Sequence, residues 1–430
     1  MARQTRILIL GGGAGGLELA VQLAGARGID VTLIDRVTSH LWKPRLHEFA
    51  AGTVSSSLAE ISFYVLGQLR GFHFEQGSVI GIEHAMKAVR LAAIHDDAGE
   101  VVVPERLLTY DLCVVALGGV TPDFNTTGVA ENAIRLDAAV DADAFRKRFI
   151  NAMIRARATG VPADVVIVGS GATGTELAAH LRASERAFFD WSSKGPVPRG
   201  RKLLDITILE AAPELMPGAE AALREKLVER LRGLDIKTVT DARISVVDKD
   251  EIRTAKGEAW PADISVWAAG LVGNPVLRGL GRFDYDDKGR IKVDSHLRST
   301  ADDCIYVLGD AAACIPAGAE RPLPPTAQAA SQQAAYLAAA LPRVLRNEPV
   351  KSFRFQNKGR LVSLAGAGAI GIIGRRKQDI LIHGQFAIAA YDALQRQHQW
   401  RVLGPVRGSV AIMADLLSPT RGPPLKLHGG

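Results

Sequence analysis

The chain is poor in sulfur, poor in aromatic rings and without a long apolar run. Only three of its 430 residues are cysteine, Cys113, Cys304 and Cys314, an odd number with no CxxC pair. That excludes a disulfide framework and points to a reducing compartment. The Gly-rich stretch LVSLAGAGAIGIIG (361–374) stops after 14 residues, whereas a bilayer-spanning helix needs about 20, so no segment is expected to cross a membrane. The opening MARQTRILILGGGAGG passes from a short apolar run straight into glycines, which is not the pattern of a secretory signal.

What is abundant is glycine, 43 residues without low-complexity runs, which implies tight turns and close approaches of backbone to ligand. With 47% hydrophobic and 23% charged residues the chain is an ordinary folded protein, and its length predicts two to three domains. The net charge of +6 is unevenly spread: residues 343–430 carry 14 Lys and Arg against 4 Asp and Glu, while residues 1–342 carry 38 against 42. An acidic body with a basic end piece suits an anionic partner, nucleic acid or lipid, at that end. The aromatics of 343–430 are Phe353, Phe355, Phe386, Tyr391 and Trp400. They form no recognition module, so nucleic acid is excluded and a lipid surface remains.

Arg6–Leu10 reads as a buried parallel strand. It enters GGGAGG, then an apolar helix face, then IDVTLID ending in Asp35. Within that strand–turn–helix–strand unit each part of GxGxxG has a role. Gly11 permits the tight turn, Gly13 lets backbone approach a pyrophosphate, Gly16 allows close helix packing, and Asp35 accepts from a ribose hydroxyl. Ala14 opens the helix, whose N-terminus supplies free N–H groups for phosphate. The pattern recurs at Val165–Val168, followed by GSGATG with Gly169, Gly171, Thr173 and Gly174, and by LLDITILE ending in Glu210. RAFFDWSSKGPVPRG (186–200) fills the longer gap as a helix extension and loop. Two such units imply two adenine dinucleotides face to face, a donor and an acceptor for hydride.

YDLCVVALGG (110–119) and ADISVWAAG (262–270) end in small residues, among them Gly118 and Gly270, where backbone passes a ligand. TADDCIYVLGDAA (300–312) ends in Gly309-Asp310; locally, an Asp there is usually a helix cap. A Pro-led helix rich in Ala and Gln follows. After Pro349 the pattern turns to strands, with turns at 357–359 and 383–384, then to two helices broken at Gly404-Pro405. Val406, Val410, Met413 and Leu417 form one stripe there; inside the basic segment it reads as an interfacial element.

With these residues in view, the chain resembles the two-dinucleotide flavoprotein reductases, and within them the type II NADH:quinone oxidoreductases, closest to the enterobacterial respiratory form. The likeness is carried by SHLWKPRLHEFAAG (39–52), VPERLLTYDLCVVALGG (103–119), DFNTTGVAEN (123–132), GSGATGTELAAHL (169–181), VWAAG (266–270), Gly309-Asp310, PPTAQAASQ (324–332) and PPLKLH (423–428). It implies an α/β fold: a discontinuous FAD-binding domain (1–120 and 275–345) interrupted by an NADH-binding domain (121–274), both Rossmann-like, and a C-terminal membrane-associating α+β module (346–430). FAD would lie on Gly11, Gly13, Ala14, Gly16 and Asp35, with Lys43, Pro44, Gly118, Gly309 and Asp310 nearer the flavin. NADH would lie on Gly169, Gly171, Thr173, Gly174, Glu210 and Gly270. The Glu210 carboxylate repels a 2′-phosphate, which favours NADH over NADPH.

Glu176 matches the family's acid near the nicotinamide; the competing reading is a first-turn glutamate favoured by the helix dipole. The family's quinone-side motif appears as Ala327-Gln328-Ala329-Ala330-Ser331-Gln332, with Ser331 where the family has His. Gln328 and Gln332 share a helix face beside the quinone, and with Glu176 they are the candidate catalytic residues. No metal is needed. The implied enzyme oxidises NADH with a membrane quinone, without proton pumping, at the cytoplasmic face of a bacterial inner membrane, its basic end on anionic lipid and a homodimer among its assemblies. The alternatives are a disulfide reductase or sulfide:quinone oxidoreductase on the same fold, for which the cysteines form no dithiol, and an NADH-sensing flavoprotein acting through protein interactions.

Overall fold

The computed structural model describes residues 4–54, 60–192, 202–375 and 378–417. The PPLKLH ending and most of the 186–200 loop lie outside the described residues. Six helices position the residues of interest and are numbered in chain order: α1 (Ala14–Leu23), α2 (Leu46–Ala51), α3 (Ala172–Ser192), α4 (Ala327–Val344), α5 (Gln385–Leu403) and α6 (Pro405–Leu417).

Two five-stranded parallel sheets carry the architecture. The first runs in the order Ile305–Val307, Leu112–Val115, Thr5–Leu10, Ile29–Asp35, His73–Gln76. The second runs Ala133–Ile134, Ile264–Trp267, Ala163–Val168, Leu204–Leu209, Ile236–Val239. Their central strands are continuous apolar runs because both faces are covered: Ile7, Ile9 and Leu10 are fully buried in one sheet, Val165 and Ile167 in the other. The chain leaves the first sheet through Gly119–Val120 and returns through Val272–Gly273. Those two segments pair antiparallel, Gly119 opposite Gly273, forming a neck between the sheets.

Past residue 349 come three antiparallel strands, Arg360–Ser363, Ala369–Arg375 and Gln378–His383, and then α5 and α6, separated at Gly404 where φ is +84°. Strands and helix break fall where the turn residues place them. Helix α5 packs on α1 of the first dinucleotide unit as well as on its own sheet, so the C-terminal module is anchored to the body. The three cysteines are free thiols, and Cys113 and Cys314 are buried.

Candidate active site

The two glycine turns are built alike. In the first, a Cβ on Gly16 would stand 1.9 Å from the Gly11 oxygen and one on Gly11 2.5 Å from the Ala116 oxygen. Helix and strands therefore approach as only glycine permits. A Cβ on Gly13 would meet nothing within 4 Å: this glycine faces open space, and α1 begins on it with no side-chain cap, so its first N–H groups are free to meet an anion. Asp35 closes the turn, Oδ2 accepting from Gly12 N at 2.6 Å and Oδ1 from Val37 N at 3.0 Å. In the second unit, Cβ atoms on Gly174 and Gly169 would lie 2.0 Å from the Gly169 oxygen and 2.7 Å from the Ala268 oxygen, while one on Gly171 would again meet nothing. Glu210 takes the part of Asp35, accepting from Ser170 N at 2.9 Å, Ser170 Oγ at 2.6 Å and Ala212 N at 2.9 Å. Ala14 is half-buried and Thr173 exposed at the mouths of the two turns. Each turn fits a pyrophosphate, crowded behind and vacant in front.

The strands beside these turns end in left-handed glycines, Gly118 at φ +70° and Gly270 at φ +75°. Between them Lys43 donates to the Gly119 carbonyl at 3.0 Å and lies 3.6 Å from Asp137, with Pro44 in the same turn of 3-10 helix. Gly309 (φ +69°) and Asp310 form another such turn. Asp310 does not cap a helix of its own. Burial raises its carboxyl above the ordinary range, with Lys43 and Arg290 opposing the rise. Gln333, 1% exposed, accepts from Gly309 N at 2.7 Å; the sequence gives no sign of this role beyond its place one position past Gln332.

Helix α4 starts on Thr326, whose side chain accepts from Ala329 N at 3.2 Å. Ala327 is half-buried in the first turn. Gln328 and Gln332 do share a face, and both grip the segment 356–359. Gln328 donates to the Gly359 carbonyl at 3.1 Å and accepts from Lys358 N at 2.8 Å, and Gln332 donates to and accepts from Gln356, both at 2.9 Å. Ser331 points elsewhere, donating to Glu18 Oε2 at 2.6 Å.

Glu176 is buried in α3, away from any role as a solvated first-turn residue. Its Oε1 accepts from Ser363 N at 2.9 Å, and its Oε2 lies 3.5 Å from His47 Nδ1. Burial, with Glu48 nearby, pushes its carboxyl up to about 8, while burial beside His180 pushes His47 down to about 3. At neutral pH a protonated carboxyl therefore faces a neutral imidazole. His47, Glu48 and His180 bring metal-type donor atoms within 4.8 Å of one another. The Glu48 carboxylate, however, is held by the Arg45 guanidinium at 2.6 Å, and His180 Nδ1 pairs with Thr53 Oγ1 at 2.9 Å. The group is an acid–base cluster where α2, α3 and the C-terminal sheet meet. His47 and His180 escape notice in the sequence because their partners come from distant segments.

Residues 5–334 match the pyridine nucleotide-disulphide oxidoreductase family. A curated relative from Haemophilus influenzae, named type II NADH:quinone oxidoreductase, is 34% identical over 446 residues, covering 98% of this chain and 99% of its own. The chain belongs to the type II NADH:quinone oxidoreductase family. A relative of the same name from Staphylococcus aureus is 29% identical over 381 residues, covering 86% of this chain and 89% of its own. Among solved structures, NDH2 from Plasmodium falciparum in complex with NADH superposes with a TM-score of 0.79 at 18% identity, covering 96% of this chain and 99% of that one. The sulfide:quinone oxidoreductase of Aquifex aeolicus gives 0.74 at 18%, covering 96% and 95%. These last two show a shared fold.

Proposed function

We propose that this protein is a membrane-peripheral flavoprotein that oxidises NADH and reduces a respiratory quinone. The observation that carries the reading is the pair of matched glycine turns, each vacant at its middle glycine and closed by a carboxylate, on two parallel sheets joined by one neck. FAD held on the first glycine turn would supply the redox chemistry, a two-electron relay between NADH and the quinone. The chain's residues bind and orient. Gly11, Gly13, Ala14, Gly16 and Asp35 hold the FAD dinucleotide, with Lys43, Pro44, Gly118, Gly309 and Asp310 toward the flavin. Gly169, Gly171, Thr173, Gly174, Glu210 and Gly270 hold NADH. A second anionic group beside the Glu210 carboxylate is disfavoured, which selects against a 2′-phosphate. Glu176 lies toward the nicotinamide, and Ala327, Gln328, Ser331 and Gln332 lie along the quinone side.

The lipid-facing part of the reading rests on charge and exposure. Residues 343–430 carry 14 basic against 4 acidic side chains, and α6 exposes Val406, Val410 and Met413 at 76, 62 and 59%. Among the described residues no helix is long and apolar enough to cross a membrane. The basic, exposed C-terminal surface is the part that would lie on the cytoplasmic leaflet.

The deciding experiment is an anaerobic absorbance titration of the purified protein. NADH bleaches the flavin band and a soluble quinone analogue restores it. Flavin that stays oxidised under excess NADH overturns the reading.

A further inference from the structure

Behind the first glycine turn lies a buried polar chain that neither cradle uses. His398 of α5, 5% exposed, stands between Glu18 of α1 and His40. Its Nδ1 is 2.8 Å from Glu18 Oε1 and its Nε2 3.0 Å from His40 Nε2. His40 Nδ1 is 2.9 Å from the carbonyl oxygen of Gly12. The second oxygen of Glu18 accepts from Ser331 Oγ at 2.6 Å and from Arg401 Nη1 at 3.2 Å, and Arg401 also bonds Ser331 Oγ. The His398 ring stacks on Trp42, centroids 5.5 Å apart and planes 10° from parallel.

The direction of one of these bonds is fixed by its acceptor. A carbonyl only accepts, so His40 Nδ1 carries a hydrogen. His40 is neutral, since burial and the neighbouring His398 push it down to about 3; its Nε2 therefore offers a lone pair. His398 Nε2 must then donate. Glu18 is ionised, because His398, Ser331 and Arg401 together outweigh the opposing effect of burial. Its Oε1 faces His398 Nδ1 across 2.8 Å. His398 is thus held at both ring nitrogens, with Trp42 against its face and with Ser331 and Arg401 on the second oxygen of Glu18.

Gly12 sits between the two glycines that shape the pyrophosphate turn. In a trans peptide the C=O of Gly12 and the N–H of Gly13 point in opposite directions. Holding the Gly12 oxygen from behind therefore aims the Gly13 N–H at the vacant front of the turn. Trp42 adjoins Lys43, which bonds the Gly119 carbonyl at 3.0 Å.

We propose that His398, although it belongs to the C-terminal module, is a positioning residue for FAD: through His40 it orients the Gly12–Gly13 peptide, and through Trp42 it seats the Lys43–Pro44 turn. The proposal rests on FAD occupying the first glycine turn. It makes the module that faces lipid part of the flavin site, and it gives Ser331 and Arg401 a shared task, holding the Glu18 carboxylate in place against His398.

The test measures FAD release from the holoprotein by the rise of free-flavin fluorescence. His398→Phe keeps a ring against Trp42 but loses both ring nitrogens; it is expected to raise the release rate about tenfold, the range set by stranding a buried hydrogen-bonding group, and to shift the bound-flavin absorbance. His398→Gln, which retains a donor for His40, is expected to recover most of the effect. His40→Phe should match His398→Phe, and the double variant should be no worse than either alone, because the two act in series. NADH binding at the second turn should not change. An unaltered release rate in His398→Phe, a Gln variant as impaired as the Phe variant, or additive effects of the two histidines would each overturn the proposal. Natural protein that purifies without FAD and cannot be loaded with it would instead overturn the functional reading beneath it.

Discussion

Gln333 Oε1 accepts a hydrogen bond from the backbone N–H of Gly309 at 2.7 Å, holding the left-handed turn that presents Asp310 from inside the core. Gln333→Leu keeps the bulk and strands the Gly309 N–H, at a cost of about 1–3 kcal/mol. The expected result is a lower melting temperature and weaker FAD retention together, measured by calorimetry and by flavin content after dialysis. Intact retention would mean that the turn does not depend on this bond.

The first glycine turn separates folding from binding. Gly16→Ala drives a methyl to 1.9 Å from the Gly11 oxygen, so it is expected to destabilise the fold itself. Gly13→Ala meets no protein atom within 4 Å, so its melting temperature without FAD should stay near that of the natural apoprotein while FAD affinity falls. Comparing the two by melting and by FAD titration checks whether vacancy at Gly13 is ligand space.

Specificity for NADH is assigned to one carboxylate. Glu210→Gln preserves side-chain size and an acceptor for Ser170 but removes the charge. The ratio of kcat/KM for NADH over NADPH should drop about tenfold, roughly 1.4 kcal/mol. A ratio that holds would place discrimination elsewhere.

Three buried groups predict a pH signature. Glu176 titrates near 8 when folded against 4.5 in the unfolded chain, so the stability it gives is whole below pH 4.5 and is lost as pH rises through about 8. His40 and His47 behave oppositely: with folded values of about 3 against 6.5, their contribution is present above pH 6.5 and lost as pH falls toward 3. Glu176→Gln removes only the alkaline loss. Its melting temperature relative to the natural protein should rise progressively between pH 4.5 and about 8 and level off above, and a difference that does not vary with pH would contradict the buried protonated carboxyl.

Attachment to lipid should respond to both charge and apolar surface. Val410→Glu with Met413→Glu places like charge on the exposed stripe of α6, and co-sedimentation with anionic vesicles should fall several-fold and fall further with salt. Unchanged binding by the variant would shift attachment to other residues.

How much of the site is legible in the sequence depends on how far apart the partners lie. Gly11, Gly13, Gly16 and Asp35 sit within one strand–turn–helix–strand unit, so spacing alone brings them to one turn, and the same holds for Gly169 to Glu210. The helix break at Gly404-Pro405 is likewise local. Glu18 and His398 are 380 positions apart, and His40 and His398 are 358 apart; no periodicity connects them. The Gln328–Gln332 face is readable as i, i+4, but that it fastens the segment 356–359 is not, because an extended segment without a regular pattern announces no partner. Ser331 is one more small polar residue on an Ala-rich helix in the sequence, and its partners, Glu18 and Arg401, arrive across the fold.

The neck formed by Gly119–Val120 and Val272–Gly273 is two chains wide. A single connecting strand could swivel freely, but two hydrogen-bonded strands form a ribbon that flexes across its flat face and resists torsion and shear. Helix α2, which follows the Lys43–Pro44 turn of the first unit, buries Leu46 and Phe49 in the core of the second. The ribbon and this buried helix grip the two units at separate points, so the faces that carry the two glycine turns are held in one fixed register.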